Sequence, residues 1–200
     1  MNPEGPGGAY TLSESFISRI SSLQNLTELS LIWQGSCVID FTSLVKLFLL
    51  PSIRVLYLSD IAFSEEYGTD YGDEDIIPHV PAEVRRKSGV RDLILDFVCV
   101  ESGLLTALLQ LPAALEKFAY GFICEGIYHK NVSAGRFYDL LYPHRNTLKE
   151  LDVIGCRDSR TATPFPGPCA KQVLIDFPIL KKLGCPAEIL KARWIEDEQL

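Results

Sequence analysis

Two hundred residues that are 47% apolar and 22% charged suffice to bury a core and exclude wholesale disorder. A net charge of −7, from 19 basic and 26 acidic side chains, argues against nucleic acid as the partner, because displacing counterions from phosphates needs a basic face. No apolar run approaches the ~18 residues that cross a bilayer, and the richest, Leu44 to Leu50, is short and holds Lys46. No membrane contact is expected.

In chain order, residues 1–10 read as a flexible lead, crowded by Gly5, Pro6, Gly7 and Gly8. This lead has neither a basic n-region nor an apolar h-region, so an intracellular chain, cytoplasmic or nuclear, is expected. Ser13 then precedes a stretch with Phe16, Ile17, Ile20 and Leu23 on one helical face. Thr42 stands before Leu44, Leu47 and Phe48, Ser102 before Leu104, Leu105, Leu108 and Leu109, and Ser133 before Phe137, Leu140 and Leu141. A hydroxyl ahead of such a run is an N-cap signature, since its oxygen accepts an orphan backbone N–H. Pro51, Pro112, Pro143 and Pro178 fall near the ends of these stretches, where a helix must stop.

Between the helical stretches one phrase recurs: apolar, two variable, apolar, one variable, apolar. Its copies are Leu26–Leu31, Ile53–Leu58, Val90–Leu95, Leu115–Tyr120, Leu148–Val153 and Leu180–Cys185. Their central apolar residues are Leu29, Leu56, Leu93, Phe118, Leu151 and Leu183, at intervals of 27, 37, 25, 33 and 32 residues. Each interval holds a strand, a helix and two turns. The alternating end of the phrase predicts a half-buried strand. No single unit can bury its own apolar edge, so the units must stack. The fold expected is α/β: a short, irregular leucine-rich-repeat solenoid of about six parallel strands, with helices on the opposite side, over residues 11–200. An ordinary α/β domain with leucine-rich strands is the alternative.

The segment 64–88 is expected to be a loop insertion. It is rich in acids from Glu65 to Asp75, then basic at Arg85, Arg86 and Lys87, without helical periodicity. Asp70–Asp75 lacks the ligand spacing of a calcium loop. A second loop is expected from Cys156 to Cys169, which holds Pro164, Pro166 and Pro168. At the end of the chain, Ile189, Leu190, Trp194 and Ile195 can form one short helical cap. Stacked units expose apolar edges at both ends, so self-association through uncapped ends is expected.

Three passages carry a family resemblance: Leu108 to Tyr120, His144 to Val153 and Phe177 to Leu190. Together they resemble the irregular leucine-rich-repeat region of fungal F-box-type proteins. That resemblance implies a curved receptor surface for a protein partner, in a family whose F-box docks on a cullin ubiquitin ligase. Only about ten Gly/Pro-rich residues stand before the first helical stretch, so no residue here inherits the adaptor-binding role.

Catalytic patterns are missing from the sequence. It has no phosphate-cradling glycine motif, no paired zinc histidines and no nucleophile elbow. Its three histidines are His79, His129 and His144; Cys124 with His129 is far from a four-ligand zinc set, and His144 reads as a turn residue. Six scattered cysteines without a CxxC pair read as reduced core residues, and the two glycosylation sequons, at Asn25 and Asn131, read as chance matches. No enzyme activity, metal or cofactor is expected.

Function is expected on the exposed side of the sheet. Strand alternation selects Glu28, Ser30 and Ile32; Val55, Tyr57 and Ser59; Asp92, Ile94 and Asp96; Lys117, Ala119 and Gly121; Glu150, Asp152 and Ile154; and Lys182 and Gly184. This mixture of Tyr57, aliphatics and acids suits a basic or mixed protein partner. Two alternatives remain: a repeat fragment that needs further repeats or a partner, and an enzyme on an unrelated α/β scaffold.

Overall fold

The structure, a computed structural model, describes residues 14–39, 41–63, 79–98, 102–122, 139–154 and 175–184. The six recurring phrases become six strands: β1 (Glu28–Ile39), β2 (Val55–Phe63), β3 (Asp92–Val98), β4 (Lys117–Phe122), β5 (Glu150–Ile154) and β6 (Lys182–Gly184). They form one α/β sheet in chain order, every neighbour parallel. The central apolar residues align across it, Leu29 with Leu56, Leu93, Phe118, Leu151 and Leu183.

A repeated backbone junction sets that register. Thr27 O accepts the N–H groups of both Arg54 and Val55, at 2.7 and 3.0 Å. Arg54 O does the same for Arg91 and Asp92, Arg91 O for Glu116 and Lys117, Glu116 O for Lys149 and Glu150, and Lys149 O for Lys181 and Lys182. Five equivalent junctions forbid any stagger between units.

Helices precede the strands and cover one face. These are α1 (Glu14–Ser22), α2 (Phe41–Phe48) and α3 (Ser102–Leu109). Leu44, Leu47 and Phe48 of α2, and Leu104, Leu105, Leu108 and Leu109 of α3, share one core with Leu56, Leu58, Leu93, Leu95 and Phe118 from the strands. Ile17 and Ile20 of α1 join them, whereas Leu23 lies beyond the end of α1 and is exposed. Two cap positions differ from the sequence expectation. Helix α2 begins at Phe41 and α3 at Ser102, so Thr42 and Ser102 are helical residues. Ser13, Ser133 and Phe137 lie outside the described residues. Pro143 stands where a helix stops: the α-helical residues end at Leu141, and Pro143 sits early in the 3-10 turn that follows, Tyr142–His144, where its missing N–H is not needed.

Of the expected insertion at 64–88, residues 64–78 lie outside the described residues. Residues 79–88 form a largely exposed turn that is anchored to the sheet and helices at a few points. Val80 and Ser88 are buried, and this turn occupies the place before β3 that a helix takes elsewhere. The segment's charges hide this in the sequence, since two valines, Val80 and Val84, and one serine provide the anchoring. The Ser88 hydroxyl donates to Phe48 O at the end of α2, at 2.5 Å, and accepts from Val90 N–H at 3.2 Å. The expected second loop, the C-terminal cap at Ile189–Ile195 and the Cys124–His129 pair lie outside the described residues.

His144 is the corresponding tie two units further on, and it is buried, which a turn residue need not be. Its Nδ1 accepts from Leu115 N–H at 3.3 Å, which leaves the proton on Nε2 to donate to Leu109 O, at the end of α3, at 3.0 Å. The Arg86 guanidinium lies 3.0 Å from the ring nitrogens and donates to Pro112 O at 3.2 Å and Pro143 O at 2.7 Å. Arg86 adopts a left-handed φ of 58°, a strained setting for a residue with a Cβ. That setting lets its own N–H reach Gln110 O at 2.9 Å while its side chain spans the next two units. Burial pushes the His144 imidazole down to about 4, against the hydrogen bond to Leu109 O and assisted by the charge of Arg86.

Two outcomes follow for stability. Leu93→Ala, in the middle of the stack, should cost about 2–5 kcal/mol by leaving a cavity, while Leu29→Ala, at a half-buried edge position, should cost clearly less; urea melts of the two variants measure the difference. The imidazole of His144 ionises less readily folded than unfolded. Its contribution is therefore complete above pH ~6.5 and is lost as the pH falls towards about 4, some 3 kcal/mol in all. Chemical denaturation of wild type and His144→Gln at pH 7, 5.5 and 4 should show the wild type losing more stability on acidification; parallel pH profiles would remove His144 from the account.

Candidate protein-binding face

Facing away from the helices, the alternate strand positions form three rows. The first runs Glu28, Val55, Asp92, Lys117, Glu150, Lys182 in register. The second runs Ser30, Tyr57, Ile94, Ala119, Asp152, Gly184. The third joins Ile32, Ser59 and Asp96, and further along Gly121 with Ile154. Register shifts interrupt it: five steps of β1, from Ile32 to Cys37, face two of β2, from Ser59 to Ile61, and three steps of β3 face two of β4 beyond Leu95. Such bulges bend a strand and end regular pairing.

Most of the residues selected from the sequence do reach this face. Glu28, Ser30, Ile32 and Lys182 are exposed, and Val55, Tyr57, Asp92, Ile94, Asp96, Lys117, Ala119, Glu150, Asp152 and Gly184 are half-buried. Ser59 and Gly121 are buried. Ser59 is a small side chain flanked in register by Ile32 and Asp96, and its larger neighbours leave it no outlet to solvent. Ile154 is described only through its backbone.

Three acids of the face, Asp92, Asp96 and Glu150, are answered within it. Tyr57 O–H donates to Asp96 Oδ2 at 2.9 Å, on the diagonal between adjacent strands. Lys117 lies between Asp92 and Glu150 in register, with its Nζ 3.7 Å from Glu150 Oε2. Burial raises the Asp92 carboxyl above its ordinary value; the Lys117 charge opposes this, and Glu116 and Glu150 add to it. The Asp152 carboxylate lies over Gly184, in the space that a Cβ there would enter.

One charged cluster was missed. At the position before the first row, Glu116 takes Arg91 on one carboxylate oxygen at 2.8 Å and Lys149 on the other. The Lys149 hydrogen bond holds the Glu116 carboxyl below its ordinary range, against desolvation and with help from the Arg91 charge. Opposite charges at the first variable position of three successive phrases were the signal available in the sequence. Such exposed pairs are worth little singly, but in register they favour one alignment.

Comparison with protein families, with curated proteins and with solved structures finds no match to this chain. Among the described residues, no three His, Cys, Asp or Glu side chains are grouped to hold a metal ion, and no helix is long and apolar enough to cross a membrane.

The Tyr57–Asp96 hydrogen bond gives this face a fixed aromatic. In a double-mutant cycle, Tyr57→Phe and Asp96→Asn should each cost about 0.5–1.5 kcal/mol and be strongly non-additive. Additive losses would show that the two side chains act independently.

Proposed function

We propose that the chain is a short leucine-rich-repeat solenoid that acts by binding another protein on its open sheet face, not by catalysis. The observation that carries this reading is the half-exposed second row. Parallel sheets are usually covered on both faces, yet Tyr57, Ile94 and Ala119 stand half-exposed on strands whose opposite side chains, Leu56, Leu58, Leu93, Leu95, Phe118 and Tyr120, are buried. Tyrosine beside an aliphatic on a rigid support is the composition of an interface anchor. Because Asp92, Asp96 and Glu150 already have partners or opposite charges beside them, the anchor is the apolar centre and the charged first row is its rim. The resemblance to F-box-type repeats supports a finer version, in which the bound protein is a substrate presented for ubiquitination.

The experiment is in-cell crosslinking of the full chain followed by mass spectrometry. Tyr57→Ala combined with Ile94→Ser should reduce recovery of the principal partner about tenfold or more. Lys46→Glu, on the helical side, should leave recovery unchanged, and circular dichroism should show both variants folded. Undiminished recovery by the folded face variant would place binding elsewhere.

A further inference from the structure

We propose that the chain stacks head to tail on a second copy of itself, β6 of one molecule pairing in parallel with β1 of the next, in the register that joins strands within a molecule. Four observations point the same way. First, β1 and β6 are the edges of the described sheet. Every later strand begins with two N–H groups on a carbonyl of the unit before it. Among the described residues, no such carbonyl serves Thr27 and Glu28, and no such N–H pair reaches Lys181 O. Among the described residues, the donors left over at one end and the acceptor left over at the other are the two halves of the same junction.

Second, Leu29 and Leu183 are only partly buried, while their register partners Leu56, Leu93 and Phe118 are fully buried. Third, the three largest apolar exposures among the described residues fall in the first and last units: Leu23 is 52% and Ile32 63% exposed at one end, and Ile175 is 61% exposed at the other. A second copy would set its first helix and strand against the segment 175–184, as each unit already sits on its predecessor.

Fourth, charge selects the order. Asp92, Lys117, Glu150 and Lys182 alternate in sign across adjacent strands. The next position in that row would be Glu28 of the second copy, which continues the alternation. Gly184 and the second copy's Ser30 would meet in the adjacent row, and both are small. Antiparallel pairing across a two-fold axis would lose both the carbonyl junction and the charge match. The contact is heterologous, so it builds chains or, if the rotation closes, rings.

The proposal rests on the repeat register of the preceding reading but not on its binding face, and it is tested at different residues. Sedimentation velocity of the full chain over a hundredfold concentration range should show mass rising with concentration. Glu28→Lys and Lys182→Glu, both at exposed positions, should each weaken self-association about fivefold by placing like charges at the contact. An equimolar mixture of the two variants should recover it, because Lys at 28 then faces Glu at 182. Circular dichroism should report unchanged folds. A wild-type monomer at every concentration overturns the proposal. So does self-association that the single variants leave intact, or that mixing them does not recover.

Discussion

The interaction on which the rest depends is the carbonyl that receives two N–H groups from the following unit. A single hydrogen bond of this kind adds about 1 kcal/mol net, but leaving its partners buried and unmet costs more. Its force here comes from repetition. Thr27, Arg54, Arg91, Glu116 and Lys149 all supply the acceptor, always at the first variable position of the phrase. With that position fixed, the next residue faces outward, the following one faces the core, and every row across the sheet is determined. A slip of one residue would turn Leu56 and Leu93 to solvent and bring Val55 and Asp92 inward.

A second constraint arises from the shortness of the helices. Helices α2 and α3 have eight residues each, so roughly half of their carbonyls have no partner inside the helix. The following units supply them. Ser88 answers Phe48 O, His144 answers Leu109 O, and Arg86 answers Pro112 O and Pro143 O beyond them. The chemistry differs from unit to unit because the geometry differs: a hydroxyl reaches from a turn, an imidazole from a 3-10 turn, a guanidinium from a strained backbone. This also explains why intervals from 25 to 37 residues coexist with a regular sheet. The strands repeat, and the other side is fitted one unit at a time.

The open face follows from the same register. Because rows align, charges chosen one unit apart meet across strands, and they alternate in sign from Asp92 to Lys182. Much of the acidity of this face is thereby spent inside the molecule. The less charged second row, with Tyr57 held by Asp96 beside Ile94, is what the proposed partner would meet. At the two ends of the first row stand Glu28 and Lys182, of opposite charge.

The sequence alone determined the six strands, their central residues and which side chains alternate outward. A phrase with apolar residues at fixed offsets leaves one arrangement that buries them all, and Leu29 through Leu183 align as their place in the phrase requires. It also marked the helical stretches, though not their first residues, since Thr42 and Ser102 lie within α2 and α3. Tertiary structure decided what depends on neighbours distant in the chain. Ser59 is buried between larger side chains of adjacent strands. Residues 79–88 pack through Val80 and Ser88 despite their charge. His144 is a buried tie to a helix end 35 residues away. In each case the deciding partner lies in another repeat, and local periodicity carries no information about which polar group a helix end in the next unit will need.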